Sequence, residues 1–279
     1  MTELAVRSSG WRLSELIRLV RPGAVLASAT ICLVGASLAS PEEWIAVLLA
    51  MLAVGFAVAS ANVFNDVVDL EADRINVPDR PLPSGRVSVR AAMVWCSTLA
   101  LLAVLVALSL SVAHALTVVA VLGTSAWYSL QLKRILVVGP LVVALLLASA
   151  LVFGATAGTS VHSSVMIGAI EIAIFTFGRE TLKGVRDIEG DQLGGVATVA
   201  NVWGAETAVA IFAACCGVVI AVSAMVGALT HFAVVAFLVG IPGIVGSILW
   251  WTSGRDLTAW AIAGSAWLWV TGLAGIALL

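Results

Sequence analysis

The stretch Asn62-Val-Phe-Asn-Asp-Val-Val-Asp-Leu-Glu-Ala-Asp73 joins the end of a long apolar segment to a cluster of carboxylates. On an α-helix, the side chains of Asn62, Asn65, Asp66, Asp69 and Asp73 recur at i, i+3, i+4, i+7 and i+11 and share one face. Oxygen ligands on one face suit Mg²⁺, which binds one or two carboxylates together with waters and substrate phosphates. The alternative is a solvated helix end with ordinary loop charges, but it does not explain why the carboxylates recur on one face. The stretch therefore predicts a diphosphate site.

The composition is that of a membrane protein. Of 279 residues, 61% are hydrophobic and 11% are charged, well outside the range of soluble domains. No polar linker divides the chain, so we expect one domain over residues 1–279, with residues 1–20 as an N-terminal interfacial segment on the bilayer surface. We expect an all-α, polytopic protein whose partners include the lipid bilayer, with no nucleic acid and no obligate protein partner.

The distribution of basic residues predicts the topology. With the N-terminus inside, all 14 Lys and Arg fall in the N-terminal segment or in the even-numbered connections between apolar segments. The outer connections hold Glu42, Glu43 and the three histidines, which we interpret as polar helix caps. This asymmetry follows the positive-inside rule and predicts a multi-pass plasma-membrane protein with a cytoplasmic N-terminus. The nine predicted spans lie at about 23–40, 44–65, 89–110, 112–129, 135–157, 163–183, 205–227, 231–251 and 258–278.

A second acidic motif follows the sixth predicted span, on the same side of the membrane as the first. If the segment 178–191 is helical, Glu180, Lys183, Asp187 and Asp191 share one face. Two such ridges would hold Mg²⁺ ions between them, and a diphosphate would bridge the ions. The metal would act as a Lewis acid and assist the departure of the diphosphate. Basic side chains near the phosphates complete the site, although some of them serve only as topology signals. The candidates are Arg74, Arg80, Lys133, Arg134, Lys183 and Arg186.

Three motifs occur in order along the chain. They are Asn65-Asp66-x-x-Asp69-x-x-x-Asp73, followed by Asn76-x-Pro78-x-Arg80; Tyr128-Ser-Leu-Gln-Leu-Lys133-Arg134; and Asp187-x-x-x-Asp191. Together they resemble the UbiA superfamily of intramembrane prenyltransferases, over essentially the whole chain. Two departures are the absence of an Asn shortly after Arg21-Pro22, and Leu-Gln where the family has Pro-Pro after Tyr128-Ser129.

The resemblance implies a nine-helix bundle around a central cavity, with a cytoplasmic cap formed by the connections after spans two and six. It implies an Mg²⁺-dependent enzyme that ionises a polyprenyl diphosphate donor and transfers the prenyl group to a lipophilic acceptor. The implied ligands are Asn65, Asp66, Asp69 and Asp73 for one metal ion, and Asp187 and Asp191 for the other. Tyr128, Lys133 and Lys183 are the implied diphosphate contacts, and Asn62 touches the acceptor or the phosphate. We take as catalytic Tyr128, Lys183 and the four residues Asp66, Asp69, Asp187 and Asp191.

The acceptor remains open at this stage. The segment 179–191 is most similar to members that transfer a geranylgeranyl group to geranylgeranylglyceryl phosphate, and a phosphorylated acceptor would use Arg179 and Arg186. Aromatic acceptors of the quinone and chlorophyll branches are the alternative. A terpene cyclase of the same superfamily would instead steer the cation with aromatic rings, for which Phe64, Trp127, Phe153, Phe175 and Phe177 are available unless they pack between helices.

Two further alternatives concern residues within the bundle. A transporter is disfavoured because the acidic motifs lie at helix ends, whereas transporter sites lie near the membrane midplane. Glu171 lies in the middle of the sixth predicted span, where it either pairs with another helix or lines the substrate chamber. The four cysteines lie within apolar runs without metal-ligand spacing, so we expect them to be core residues.

Overall fold

The computed structural model describes residues 13–158, 161–227 and 244–249, and no strand occurs within these ranges. Eleven helices have assigned bounds, and residues 244–249 are also helical. They are α1 (Leu13–Leu19), α2 (Pro22–Leu38), α3 (Trp44–Val68), α4 (Leu70–Asn76), α5 (Val89–Leu110), α6 (Val112–Leu130), α7 (Val138–Thr156), α8 (Ser163–Arg186), α9 (Ile188–Leu193), α10 (Val199–Val202) and α11 (Ala205–Gly227). A 3-10 turn, Leu132–Arg134, connects α6 to α7.

The long helices reproduce the first seven predicted spans, and their ends shift by at most three residues. Helices α3, α5, α6, α7 and α11 are each long and apolar enough to cross a membrane, and the bent pair of α1 and α2 is a sixth candidate. The predicted spans at 231–251 and 258–278 lie outside the described residues, except for 244–249. The described part therefore confirms an all-helical membrane bundle, while nine spans remain a prediction.

The outer faces of the helices are apolar. Leu101, Leu105, Leu116 and Leu145 are each more than half exposed in the isolated chain. Large apolar surfaces of this kind are unfavourable in water but contact acyl chains in a bilayer. These exposed leucines therefore form part of the lipid-facing surface of the bundle.

Helices α2 and α7 cross in backbone contact at two glycines. A Cβ atom added to Gly35 would lie 1.9 Å from the carbonyl oxygen of Leu151, and one added to Gly154 would lie 1.8 Å from that of Cys32. Small residues allow membrane helices to approach this closely, since lipid supplies no hydrophobic drive for helix association. The crossing fixes α2 against α7 beside the central cavity.

A sharp elbow separates α1 from α2. Arg21 has a left-handed backbone (φ 55°, ψ 72°), Pro22 begins α2, and the two helices meet at 56°. Proline suits the first turn of a helix because its missing N–H has no partner there anyway. The Asn62 amide donates to the carbonyl oxygen of Val20 at 2.9 Å and so ties the elbow to α3.

Two polar side chains within the bundle, Glu171 and His114, are paired. Glu171 is buried and accepts a 2.6 Å hydrogen bond from Ser223 of α11, and it does not line the cavity. Of the two roles considered for Glu171, pairing between helices is therefore the one observed. His114 lies in the first turn of α6, with Nδ1 2.7 Å from the hydroxyl of the N-cap residue Ser111 and its ring edge-on to Phe153 at 5.1 Å. His231 lies outside the described residues.

The cysteines behave as core residues. All four are free thiols; Cys32, Cys96 and Cys216 are buried, and Cys215 is half-buried. The interpretation of these residues as small core side chains is confirmed.

Candidate active site

Both acidic motifs lie where a long helix gives way to a short one. Asp69 separates α3 from α4 (φ −89°, ψ 5°), and Asp187 separates α8 from α9 (φ −102°, ψ 11°). The expectation of one continuous helix through each motif is therefore wrong. Asp has a low helix propensity and favours helix ends, and both residues occupy the sparsely populated bridge region common in active sites. The helix resumes at once, since Asp73 and Asp191 each donate an N–H to the carbonyl of the aspartate four residues earlier, at 2.8 Å.

The first motif is held in a network of ion pairs. Asp66 is 3% exposed and pairs with Arg21 of the elbow. Arg80, from the connection after α4, lies 3.7 Å from Asp66 and donates to Asp73 at 2.8 Å. A carboxylate this deeply buried needs charge-assisted partners to remain ionised. Arg21 and Arg80 supply these partners, and both approach the same carboxylate oxygen of Asp66.

Asp69, the middle acid of this motif, pairs with a different part of the bundle. Asp69 forms an ion pair with Lys133 of the 3-10 turn, and it accepts a hydrogen bond from the Asn65 amide at 2.9 Å. The side-chain Oδ1 of Asn65 accepts a hydrogen bond from the Ser129 hydroxyl on α6, at 3.2 Å. The break at Asp69 therefore turns its carboxylate towards the connection between α6 and α7.

The second motif combines a partly buried basic cluster with two acids nearer to solvent. Glu180 pairs with both Arg179, at 3.0 Å, and Lys183, while Asp187 pairs with Arg186 at 3.1 Å on the exposed side. Within the described residues, no ion pair reaches Asp191. Burial, followed by the charges of Asp187 and Asp69, raises the pKa of Asp191 from 3.8 to about 6, against a hydrogen bond from Thr198.

The two motifs meet in space. Helices α4 and α9, which begin directly after Asp69 and Asp187, pack against each other. The ends of the short helices also touch, because a Cβ atom added to Gly190 would lie 2.6 Å from the side-chain nitrogen of Asn76. Helices α4 and α9 therefore form one cap at this end of the bundle.

A chamber of about 540 Å³ opens beneath the cap. Its rim is polar, and its deeper wall is apolar and includes Ile31, Val54, Leu147, Phe153 and Phe175. On α6 the lining runs from Ser129 to Thr117, which at 1.5 Å per residue is a depth of about 18 Å. Polar rim residues that line the chamber are Arg21, Asn62, Asn65, Tyr128, Arg179, Glu180 and Lys183.

Comparison with known proteins identifies this architecture. A sequence model of the UbiA prenyltransferase family matches residues 26–271. The chain belongs to the UbiA prenyltransferase family. This assignment confirms the resemblance carried by the three motifs, and with it an enzyme of the prenyltransferase class rather than a transporter.

Relatives within the UbiA family point to one branch. The chain is 35% identical to digeranylgeranylglyceryl phosphate synthase of Sulfolobus acidocaldarius, over 66% of this chain and 67% of that protein. It is 32% identical to the digeranylgeranylglyceryl phosphate synthase of Natronomonas pharaonis, over 92% of each chain.

Solved structures of the UbiA family share the fold. A UbiA homologue from Aeropyrum pernix K1 superposes with a TM-score of 0.77 at 21% identity, covering 90% of this chain and 97% of that one. A UbiA homologue from Archaeoglobus fulgidus bound to GPP and Mg²⁺ gives a TM-score of 0.74 at 19% identity, covering 95% of this chain and 100% of the other. Their agreement supports the bundle and its central cavity.

Some candidate residues lie away from this UbiA chamber. Arg74 is paired with Glu71 at 2.7 Å, Arg134 is exposed in the 3-10 turn, and Arg186 faces Asp187; none of these three arginines lines the chamber. Of the five aromatic residues considered for steering a cation, Phe153 and Phe175 line the chamber, and the other three do not.

Sequence reasoning missed the role of Arg21. The sequence gives Arg21 only as part of the Arg21-Pro22 pair ahead of the first predicted span, yet Arg21 lines the chamber and pairs with Asp66. The only signal was its place at the head of the first span, on the same side of the membrane as the acidic motif. Because 45 residues separate Arg21 from Asp66, helical periodicity does not reveal the pairing.

The UbiA site has the donor chemistry for a hard divalent cation. Its candidate ligands are carboxylate and amide oxygens, the groups that Mg²⁺ prefers. Across the residues that the structure describes, no cluster of three or more His, Cys, Asp or Glu side chains is preassembled for a metal. The carboxylates Asp66 and Asp69 are instead paired with Arg21 and Lys133, so a metal ion bound to them would compete with these basic side chains.

Proposed function

We propose that this protein is an Mg²⁺-dependent prenyltransferase that transfers a geranylgeranyl group from geranylgeranyl diphosphate to geranylgeranylglyceryl phosphate. The observation that carries the proposal is the pairing of two acidic motifs over a rim of cations and an apolar chamber. Relatives named digeranylgeranylglyceryl phosphate synthase, at 32% and 35% identity, support this acceptor over an aromatic one.

We assign the metal ligands to both motifs. Asn65, Asp66, Asp69 and Asp73 are proposed to hold one Mg²⁺ ion, and Asp187 and Asp191 the other. The UbiA homologue bound to GPP and Mg²⁺ supports this choice of ion. Bound Mg²⁺ supplies Lewis-acid stabilisation of the leaving diphosphate. The donor set is thus divided between the two sides of the cap.

The rim cations are proposed to bind the donor phosphates. Lys183 and Tyr128 line the chamber directly beneath the cap, and Arg21, Arg80 and Lys133 already sit beside the carboxylates. When the carboxylates engage a cation, these basic groups become available to phosphate oxygens, to which charge-assisted hydrogen bonds are strong. Asn62 holds the elbow that carries Arg21 and is proposed to contact the substrate beside it.

The reaction follows from this arrangement. The C–O bond of the allylic diphosphate breaks, and both electrons leave with the diphosphate. The acceptor hydroxyl oxygen forms the new ether bond, and its proton leaves with the diphosphate. The apolar wall excludes water, which would otherwise trap the cation as an alcohol.

Orientation and extent belong to the same proposal. We place the N-terminus and the cap in the cytoplasm and the protein in the plasma membrane, as one domain over residues 1–279. The segregation of Lys and Arg supports this orientation.

The proposal is tested with purified protein, geranylgeranyl diphosphate and Mg²⁺. Parallel reactions contain no acceptor, geranylgeranylglyceryl phosphate, or a panel of aromatic acids, and the products are identified by mass spectrometry. We expect a diether phosphate only in the second reaction. A hydrocarbon product without acceptor identifies a terpene cyclase, and prenylated aromatic products identify the quinone-type alternative; either result overturns the proposal.

A further inference from the structure

Arg179 is the basic residue of the chamber whose hydrogen bonding is incomplete. It lines the cavity with a side chain that is 24% exposed. One terminal nitrogen donates to Glu180 at 3.0 Å, but the Nε–H is buried and has no hydrogen-bond partner. A buried N–H donor without an acceptor is unfavourable, and an anionic ligand with oxygens in the plane of the partly exposed guanidinium would satisfy it.

We propose that Arg179 binds the phosphate group of the acceptor. This inference rests on the proposed function and names the residue that recognises the phosphorylated acceptor. Arginine presents paired N–H groups in a planar fork that matches phosphate oxygens.

The position of Arg179 fits an acceptor phosphate rather than the donor diphosphate. Lys183 lies one helical turn nearer to the cap, so the two residues are separated by about 6 Å along α8. A glycerol that carries one ether and one phosphate has a single free hydroxyl, a few bonds from the phosphorus. With the donor diphosphate on Lys183 and Tyr128 and the acceptor phosphate on Arg179, that hydroxyl is placed at the level of the reacting carbon.

The surroundings of Arg179 are suited to an anion. Glu180 is its acidic neighbour, and this carboxylate is shared with Lys183, so two cations face one anion. Thr176, one turn farther from the cap on α8, is buried and also lines the chamber. Arg186 is unsuited to the task because its side chain is half exposed, faces Asp187 and lies outside the chamber lining.

The test compares phosphorylated and dephosphorylated acceptors, geranylgeranylglyceryl phosphate and geranylgeranylglycerol, at saturating geranylgeranyl diphosphate. In Arg179→Gln we expect the KM for the phosphorylated acceptor to rise about 10- to 100-fold, the range for losing hydrogen bonds to a charged group. The KM for the donor and the rate with geranylgeranylglycerol should stay within about twofold. Arg179→Lys should recover part of the loss, and Arg90→Gln, an exposed position at the start of α5, is the matched control.

The outcomes separate this inference from the proposed function. If the wild-type protein does not use geranylgeranylglyceryl phosphate, the proposed function fails and the inference fails with it. If the wild type uses it but Arg179→Gln keeps the acceptor KM, or loses both acceptors and the donor alike, only the assignment of Arg179 is overturned. If Arg179→Gln does not fold, Arg179→Lys is the deciding variant, because lysine cannot form a two-point contact with phosphate. An unchanged KM for geranylgeranylglyceryl phosphate in Arg179→Lys would contradict the assignment of Arg179.

Discussion

Replacing Gly154 with alanine is expected to force α7 away from α2. The new Cβ atom would lie 1.8 Å from the carbonyl oxygen of Cys32, whereas real Cβ atoms essentially never approach a neighbour within 3.0 Å. The obstacle is backbone, which cannot rotate away as a side chain does. The two helices must therefore separate by about 1.2 Å or more at their crossing.

The cost of that separation follows from overpacking. Steric insertion into a well-packed core destabilises a protein by about 1–3 kcal/mol. At about 2–4 °C per kcal/mol for a chain of this size class, the expected fall in Tm is roughly 2–12 °C. Gly35 packs at the same crossing, so the double variant should lose less than the sum of the two single changes, since the first has already moved the helices apart.

The assay is thermal unfolding of the detergent-solubilised protein, followed by the fluorescence of its ten tryptophans. Gly123→Ala is the matched control, because a Cβ atom there meets nothing within 4 Å and alanine is the better helix former. Turnover should fall with stability in Gly154→Ala, since the adjacent Phe153 lines the chamber. Equal Tm values for Gly154→Ala and Gly123→Ala would refute the close-packed crossing.

Three further changes test the site. Asp66→Asn should abolish diphosphate release from labelled donor at saturating Mg²⁺ while the protein stays in the membrane, with exposed Glu189→Gln unaffected; full activity of the Asp66 variant contradicts the two-motif site. Burial and the charge of Asp187 raise the pKa of Asp191 to about 6, so the folded state binds a proton at this carboxyl group more tightly than the unfolded state does. The stability that protonated Asp191 contributes is therefore lost as pH rises from about 4 to 6. Asp191→Asn should therefore raise the Tm by a few degrees at pH 7.5 in EDTA, as judged by the same fluorescence assay, and a lower Tm argues against the repulsion. Phe153→Leu should deepen the chamber and raise the relative kcat/KM for a donor one isoprene unit longer, and an unchanged ratio removes Phe153 from the chamber floor.

The spans were predictable because the bilayer imposes one length scale on the whole chain. A hydrocarbon core about 30 Å thick requires runs of about 20 apolar residues, and such runs are visible without any knowledge of packing. The acidic motifs were visible for a related reason, since charge at the end of an apolar run stands out from its background. Membership of the motifs in one site followed from their common side of the membrane.

The breaks at Asp69 and Asp187 were not predictable from periodicity. Each break occupies a single residue, and the helical hydrogen bond from Asp73 to Asp69 is kept, so the spacing looks the same in a continuous helix. The pairing of Arg21 with Asp66 was hidden for another reason. It depends on the 56° elbow, which is set by tertiary contacts and by a left-handed residue that nothing in the local sequence demands.

The ion pairs of the rim join residues that the ribosome makes at different times. Asp66 follows Arg21 by 45 residues, whereas Asp69 precedes Lys133 by 64. During synthesis, which delivers the N-terminal part first, α3 meets a membrane in which the cation for Asp66 is already present. The carboxylate of Asp69 can pair with Lys133 only after α5 and α6 have been inserted and the turn that carries Lys133 has been synthesised. Loss of Lys133 is therefore expected to impair folding as well as the proposed binding of substrate, and a chain truncated after α5 would lack the cation that pairs with Asp69.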